Sequence, residues 1–218
     1  QRATFHELPD HFRELWSHKV RNTLEADQTA ADVYPNAGLY AEFGKIICIS
    51  VGVFHQRQGQ MGFRLKSFAR TDERELLIDF SNLLEAQPAN LMLCGHNGKA
   101  FDFPYLCKRM IINGLPLPVQ LDISGKKPWE INHLDTMELW RFGDFRSYVS
   151  LNLMAAVLGI PSPKDDISGA DVYRVYYEEN DLERIRVYCE KDVITTAQIL
   201  RRLRNEPPIA HEAVSVAE

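Results

Sequence analysis

Residues 45–54, Lys45-Ile46-Ile47-Cys48-Ile49-Ser50-Val51-Gly52-Val53-Phe54, are apolar almost without a break. Such a run suits a strand covered on both faces, and a strand of that kind belongs inside a layered domain. A polar turn over 56–60 follows. Residues 62–68 then alternate apolar with polar side chains, which predicts an edge-ward strand with one wet face. Ahead of this block the chain is mixed, with a short helix over 12–20 and a polar stretch ending at Tyr34-Pro35-Asn36.

Beyond the two strands the pattern turns helical. Thr71 or Asp72 caps a helix carrying Leu76, Leu77, Phe80, Leu83 and Leu84, which Pro88 ends. A short buried strand is predicted over 91–94, a turn over 95–99 and a helix over 101–112. Another strand follows at 131–134 and a helix at 150–158, stopped by Gly159 and Pro161. Asn180 or Asp181 caps a long helix through Leu203. This is an α/β order with neither repeats nor a dividing linker. It predicts one domain over 1–206 and a disordered tail over 207–218, after Pro207-Pro208.

Composition narrows the class further. A chain of 218 residues with 45% hydrophobic and 25% charged residues can bury a sizeable core. No apolar run approaches the roughly 20 residues that cross a bilayer, so no membrane partner is expected. Cys48, Cys94, Cys107 and Cys189 are scattered without a CxxC pair, which predicts reduced, buried thiols and a cytoplasmic protein. A net charge of −5 argues against nonspecific coating of nucleic acid, although carboxylates gathered around cations present a positive site once loaded.

Two short runs carry the chemistry. Asn97-Gly98-Lys99-Ala100-Phe101-Asp102 follows the apolar Leu91-Met92-Leu93-Cys94, and places a carboxylate where a strand gives way to a helix. Such an acid either caps the helix or points at a ligand beyond the sheet's end. Tyr188-Cys189-Glu190-Lys191-Asp192 puts a phenol and a carboxylate one helical turn apart, with Cβ atoms about 5–6 Å from each other. That reach lets the carboxylate hold a cation while the phenol hydrogen-bonds a water; alone, it is also ordinary amphipathic patterning.

Together, the two runs resemble motifs of the DEDDy-type 3′-5′ exonucleases, in particular the predicted 3′-5′ exonuclease family related to the exonuclease domain of family-B DNA polymerases. The resemblance covers nearly the whole chain. It includes Glu42-Phe43-Gly44-Lys45, Gly95-His96-Asn97, Phe101-Asp102-Phe103-Pro104-Tyr105-Leu106, His133-Leu134-Asp135-Thr136, Ser150-Leu151, Lys164 and Ile167-Ser168-Gly169. It implies a ribonuclease-H-like mixed sheet flanked by helices. The implied reaction releases nucleoside monophosphates from the 3′ end of a single strand, DNA favoured over RNA, with two Mg²⁺ or Mn²⁺ ions. By position Asp102 and Asp192 correspond to metal-ligating acids and Tyr188 to the residue orienting the attacking water. Asn97 and Phe101 correspond to residues that bind the substrate end.

One part of the pattern is missing. The family opens with Asp-x-Glu on a first strand at the centre of its sheet, and the only Asp-x-Glu here, Asp181-Leu182-Glu183, opens the last helix. A chain starting at Gln1 is accordingly expected to be a fragment of a longer protein, with little or no activity by itself. The alternative is a catalytically silent nucleic-acid-binding or interaction module of the same fold. Among lesser candidates, Asp135 reads as a strand-end acid or a brace, and His96 and His133 as ligands or, more commonly beside strands, as structural side chains. Lys126-Lys127-Pro128-Trp129 reads as a solvated loop or a surface that stacks on a single strand.

Overall fold

The computed structural model describes residues 3–57, 59–144, 146–161 and 167–217; Lys164 lies outside them. Strands β1 (Cys48–Arg57) and β2 (Gln60–Ala69) form an antiparallel hairpin, and β5 (Val214–Val216) adds parallel to β2. A second, parallel ladder joins β3 (Cys94–Gly95) to β4 (Leu134–Asp135). Helices α1 (Asp10–Val20), α2 (Glu73–Glu85), α3 (Asp102–Ile112), α4 (Thr136–Arg141), α5 (Leu151–Val157), α6 (Val172–Tyr177) and α7 (Leu182–Leu203) complete the mixed α/β architecture.

Alternation along β2 builds the layers. Phe68 packs with Ile49 beneath α2, against Leu76, Leu77, Phe80 and Leu84, joined by Met110 of α3. Phe63 and Leu65 face the other way and meet Ala197 of α7 and Ile209. Burial of each such side chain is worth about 1.5–3 kcal/mol. Caps fix the helix starts: Asp72 accepts from Glu75 N (3.0 Å), Ser150 Oγ from Leu153 N (3.3 Å) and Asp181 from Arg184 N (3.0 Å). The N-terminal segment folds around Trp16, whose indole N–H donates to Ala30 O (2.8 Å) among Tyr34, Tyr40 and Phe43.

Several expectations are corrected. β2 lies between β1 and β5 and is no edge strand. The stretch after Pro207-Pro208 is no disordered tail. Gln198 exchanges two hydrogen bonds with the Ile209 backbone (2.8 and 2.9 Å), Ile209 is buried, and Val214–Val216 pairs with Phe63–Leu65. The strand expected over 91–94 begins only at Cys94, which is exposed, as is Met92; the other three thiols are half-buried and all four are free. β1 is not covered throughout either: Val53 is exposed.

The outer edge of β1 pairs with no described strand, and neither does the second edge of β3. No described helix is long and apolar enough to cross a membrane.

Candidate functional site

The turn after β3 is the most constrained piece of backbone near the candidate residues. Gly95 and Gly98 approach so closely that a Cβ on Gly95 would lie 3.0 Å from Gly98 Cα. Asn97 between them is left-handed, with φ +62°, a conformation that asparagine tolerates better than most residues. The deciding acceptor comes from the neighbouring strand end. Asp135, only 3% exposed, takes the N–H groups of Asn97 (2.9 Å) and Lys99 (3.0 Å) while capping α4 through Met137 N (3.0 Å) and Glu138 N (3.4 Å). Asp135 is thus both the strand-end acid and the brace. Asp135→Asn replaces one accepting oxygen by a donor facing N–H groups. It should cost about 1–3 kcal/mol, read as a lowered thermal midpoint.

Histidines complete the frame through hydrogen bonds at both ring nitrogens. His96 Nε2 donates to Val149 O (2.9 Å) and its Nδ1 shares a hydrogen bond with the Thr136 hydroxyl (2.9 Å). His133 accepts from Leu93 N at Nδ1 (3.2 Å), so its Nε2 is the nitrogen that donates to Gln120 O (2.9 Å). Burial, then the Lys126 and Lys99 charges, lowers the His133 pKa against the raising effect of that Gln120 bond, which keeps the ring neutral.

From this frame Phe101, exposed, leads into α3, and Asp102 occupies its first turn. Solvent reaches Asp102, yet protein surrounds most of its carboxyl. Desolvation first, and the Asp135 charge after it, raise the Asp102 pKa, against a local backbone hydrogen bond that lowers it. An acid whose folded pKa is raised destabilises the fold once ionised, and the penalty fades as pH falls through that pKa. Asp102→Asn, measured in chelator, should therefore melt slightly above wild type at pH 7, with the difference closing as the carboxyl is protonated.

Tyr188 and Asp192 stand on α7, half-buried, one turn apart. A polar seam anchors this helix to the hairpin: Ser50 Oγ meets Ser67 Oγ (2.8 Å), and Ser67 Oγ donates to buried Glu190 (2.7 Å), which Arg186 also pairs. Tyr188 packs against the Ile47, Ile167, Val175 and Ile185 cluster. The helix leans on β1, β2, α4, α5 and α6. Asp102 with Asp135 thus stands at the ends of β3 and β4, and Tyr188 with Asp192 on a helix supported by the hairpin.

These are the elements spanned by one known family. Residues 39–206 match the family described as a predicted 3′-5′ exonuclease related to the exonuclease domain of PolB. The chain belongs to this family. Its fold is the mixed, ribonuclease-H-like α/β arrangement of such exonuclease domains. The chain is also similar to a DNA polymerase of Archaeoglobus fulgidus, 31% identical over 141 residues, covering 61% of this chain and 18% of the polymerase. A DNA polymerase of Pyrococcus glycovorans is 23% identical over 143 residues, covering 60% of this chain and 18% of that protein. The chain therefore spans under a fifth of the length of these relatives.

For a member of this exonuclease family the acids are sparse. Among the described residues no three His, Cys, Asp or Glu side chains gather so as to hold a metal ion. Asp102 and Asp192 alone do not make a closed cation centre, since hard cations take many oxygen ligands. The Lys126–Trp129 stretch lies around the N-terminal approach to β4. There Trp129 is 77% exposed with Lys127 Nζ 5.3 Å from its ring centroid, while Lys126 lines a cavity of about 450 Å³ with Asn90, Met92, Val119 and Asn132. Sequence reading passed over the segment after α4, where an Arg-aromatic alternation was the available signal.

Proposed function

We propose that this chain is a 3′-5′ exonuclease domain acting on the 3′ end of single-stranded nucleic acid, DNA in preference to RNA. The observation that carries the reading is the family match over 39–206, which takes in both the β3–α3 junction with Asp102 and the α7 turn with Tyr188 and Asp192. In this reading Asp102 and Asp192 are cation-holding acids, with Mg²⁺ or Mn²⁺ as the cations. Tyr188 orients the attacking water through its hydroxyl, and Asn97 and Phe101 contact the substrate end.

The described residues by themselves do not fit a two-cation centre. The reading therefore assigns the remaining carboxylates to an extended Asp-x-Glu segment added along the edge of β1 that pairs with no described strand. Strand addition to an open edge is a general mode of association, since main-chain hydrogen bonds supply the affinity.

The test is cleavage of 5′-labelled single-stranded DNA with Mn²⁺. Residues 1–218 alone should leave the strand nearly intact, and a form with an Asp-x-Glu strand fused ahead of Gln1 should give a ladder shortening from the 3′ end. Vigorous shortening by residues 1–218 alone would refute the need for added carboxylates. An intact strand in both forms, with RNA left intact as well, would favour the silent binding module.

A further inference from the structure

Between α4 and α5 three large side chains, Phe142, Arg146 and Tyr148, stand in solvent. Phe142 is 88% exposed, Tyr148 70%, and the Arg146 side chain 97%, its guanidinium only 3.7 Å from the Asp144 carboxylate at the surface. The backbone, in contrast, is fixed. Arg141 Nε donates to Ser147 O (2.7 Å), Asp144 N to Arg141 O (2.8 Å) and Ser147 N to Asp144 O (3.2 Å). The loop hands over to buried Val149, whose carbonyl holds His96, the residue before Asn97. At its other end α4 springs from Asp135 and Thr136, and its six residues span roughly 9 Å. Both ends of the loop are thus tied to the frame of the candidate site.

Phe142 is also in the wrong kind of place for an ordinary aromatic. It terminates α4 in the left-handed conformation, φ +45°, where glycine or asparagine is the usual occupant. An L-residue there costs about 1–2 kcal/mol, and the ring recovers none of it by burial. Strained backbone of this sort persists where it serves a contact outside the fold.

Resting on the exonuclease reading above, we propose that Phe142, Arg146 and Tyr148 form a stacking platform that grips the single strand next to its 3′ end. Two exposed aromatic rings that flank a cation along the chain suit alternating bases and phosphates, and base–aromatic stacking tolerates any sequence. An enzyme that trims a strand needs such a grip, because each step presents a new base.

The experiment is fluorescence anisotropy of 5′-fluorescein-labelled oligo(dT) and oligo(rU) of ten nucleotides, with EDTA so that no cleavage intervenes. Phe142→Asn suits the left-handed backbone and removes the ring; Tyr148→Ser removes the other. Each should weaken binding about 5- to 150-fold with an unchanged or slightly raised thermal midpoint, from about 1–3 kcal/mol per stacked base. Arg146→Ala should weaken it less and flatten the salt dependence. Wild-type binding retained in both aromatic variants, or lost instead in Trp129→Ala, would overturn the platform and leave the nuclease reading standing. A wild-type chain that binds neither oligonucleotide would overturn the platform, while the nuclease reading stands or falls on the cleavage test above.

Discussion

Asp192→Asn should lower 3′-end shortening by on the order of 10²–10³-fold or more while leaving the fold intact, measured in the form of the protein that cleaves. Removing one group that stabilises charge developing in a transition state typically costs that much, and asparagine keeps the shape but not the charge. The fold is expected to survive because Ala197, Ile199 and Leu200 in the core and the Glu190 seam hold α7. A thermal midpoint within a degree or two of wild type, with the ladder gone, would establish the role. An unchanged rate would remove Asp192 from the site. Tyr188→Phe deletes a single hydroxyl that water can partly replace, so about a 3- to 10-fold loss is expected.

The largest loss of stability should follow Glu73→Ala. Glu73 and Arg109 are both buried, and the pair ties three parts of the molecule together. Arg109 Nε donates to Glu73 Oε1 (2.8 Å), and its Nη2 donates to Oε2. Asn113 adds a further donor (3.1 Å), and Ile46 N, just ahead of β1, donates to Oε1 (2.7 Å). Arg109 Nη1 reaches Ala41 O (2.8 Å). Truncating the acid strands a guanidinium and an N–H in the interior. The expected cost is about 3–5 kcal/mol, or a fall of roughly 6–20 °C in thermal midpoint for a domain of this size. Glu73→Met combined with Arg109→Leu should recover most of it, since an apolar pair leaves no charge unpaired.

The same pair gives a pH dependence of known sign. Burial alone would raise the Glu73 pKa, but Arg109, the Ile46 N–H and Asn113 together hold it below its ordinary 4.5. The stabilisation is therefore complete above that ordinary value and disappears as pH falls through the lower folded one. Glu73→Ala should accordingly flatten the acid limb of the melting profile.

What the sequence made legible was local. The caps, Asp72 rather than Thr71 and Asp181 rather than Asn180, and the turn-spaced Tyr188 and Asp192 depend on neighbours within a few residues, and each stands on the helix its pattern marked. Pairings between distant segments were not legible. Val214–Val216 is too short for any periodicity, and its partner Phe63–Leu65 lies at the other end of the chain. Helices α4 and α6 have six residues each, under two turns, so no apolar stripe announces them. From sequence Asp135 reads only as a strand-end acid or a brace, because its contacts to Asn97 and Lys99 arise from β3 and β4 lying side by side.

The open edge of β1 also bears on how the isolated chain behaves at the bench. Native proteins blunt exposed strands with lysines, prolines or bulges, and the Ser50-Val51-Gly52-Val53-Phe54 segment carries none of the charged or proline guards. Such a strand templates a second copy of itself, so self-association should rise with concentration and titrate away when a matching peptide is supplied. For this protein, solubility is a report on strand occupancy.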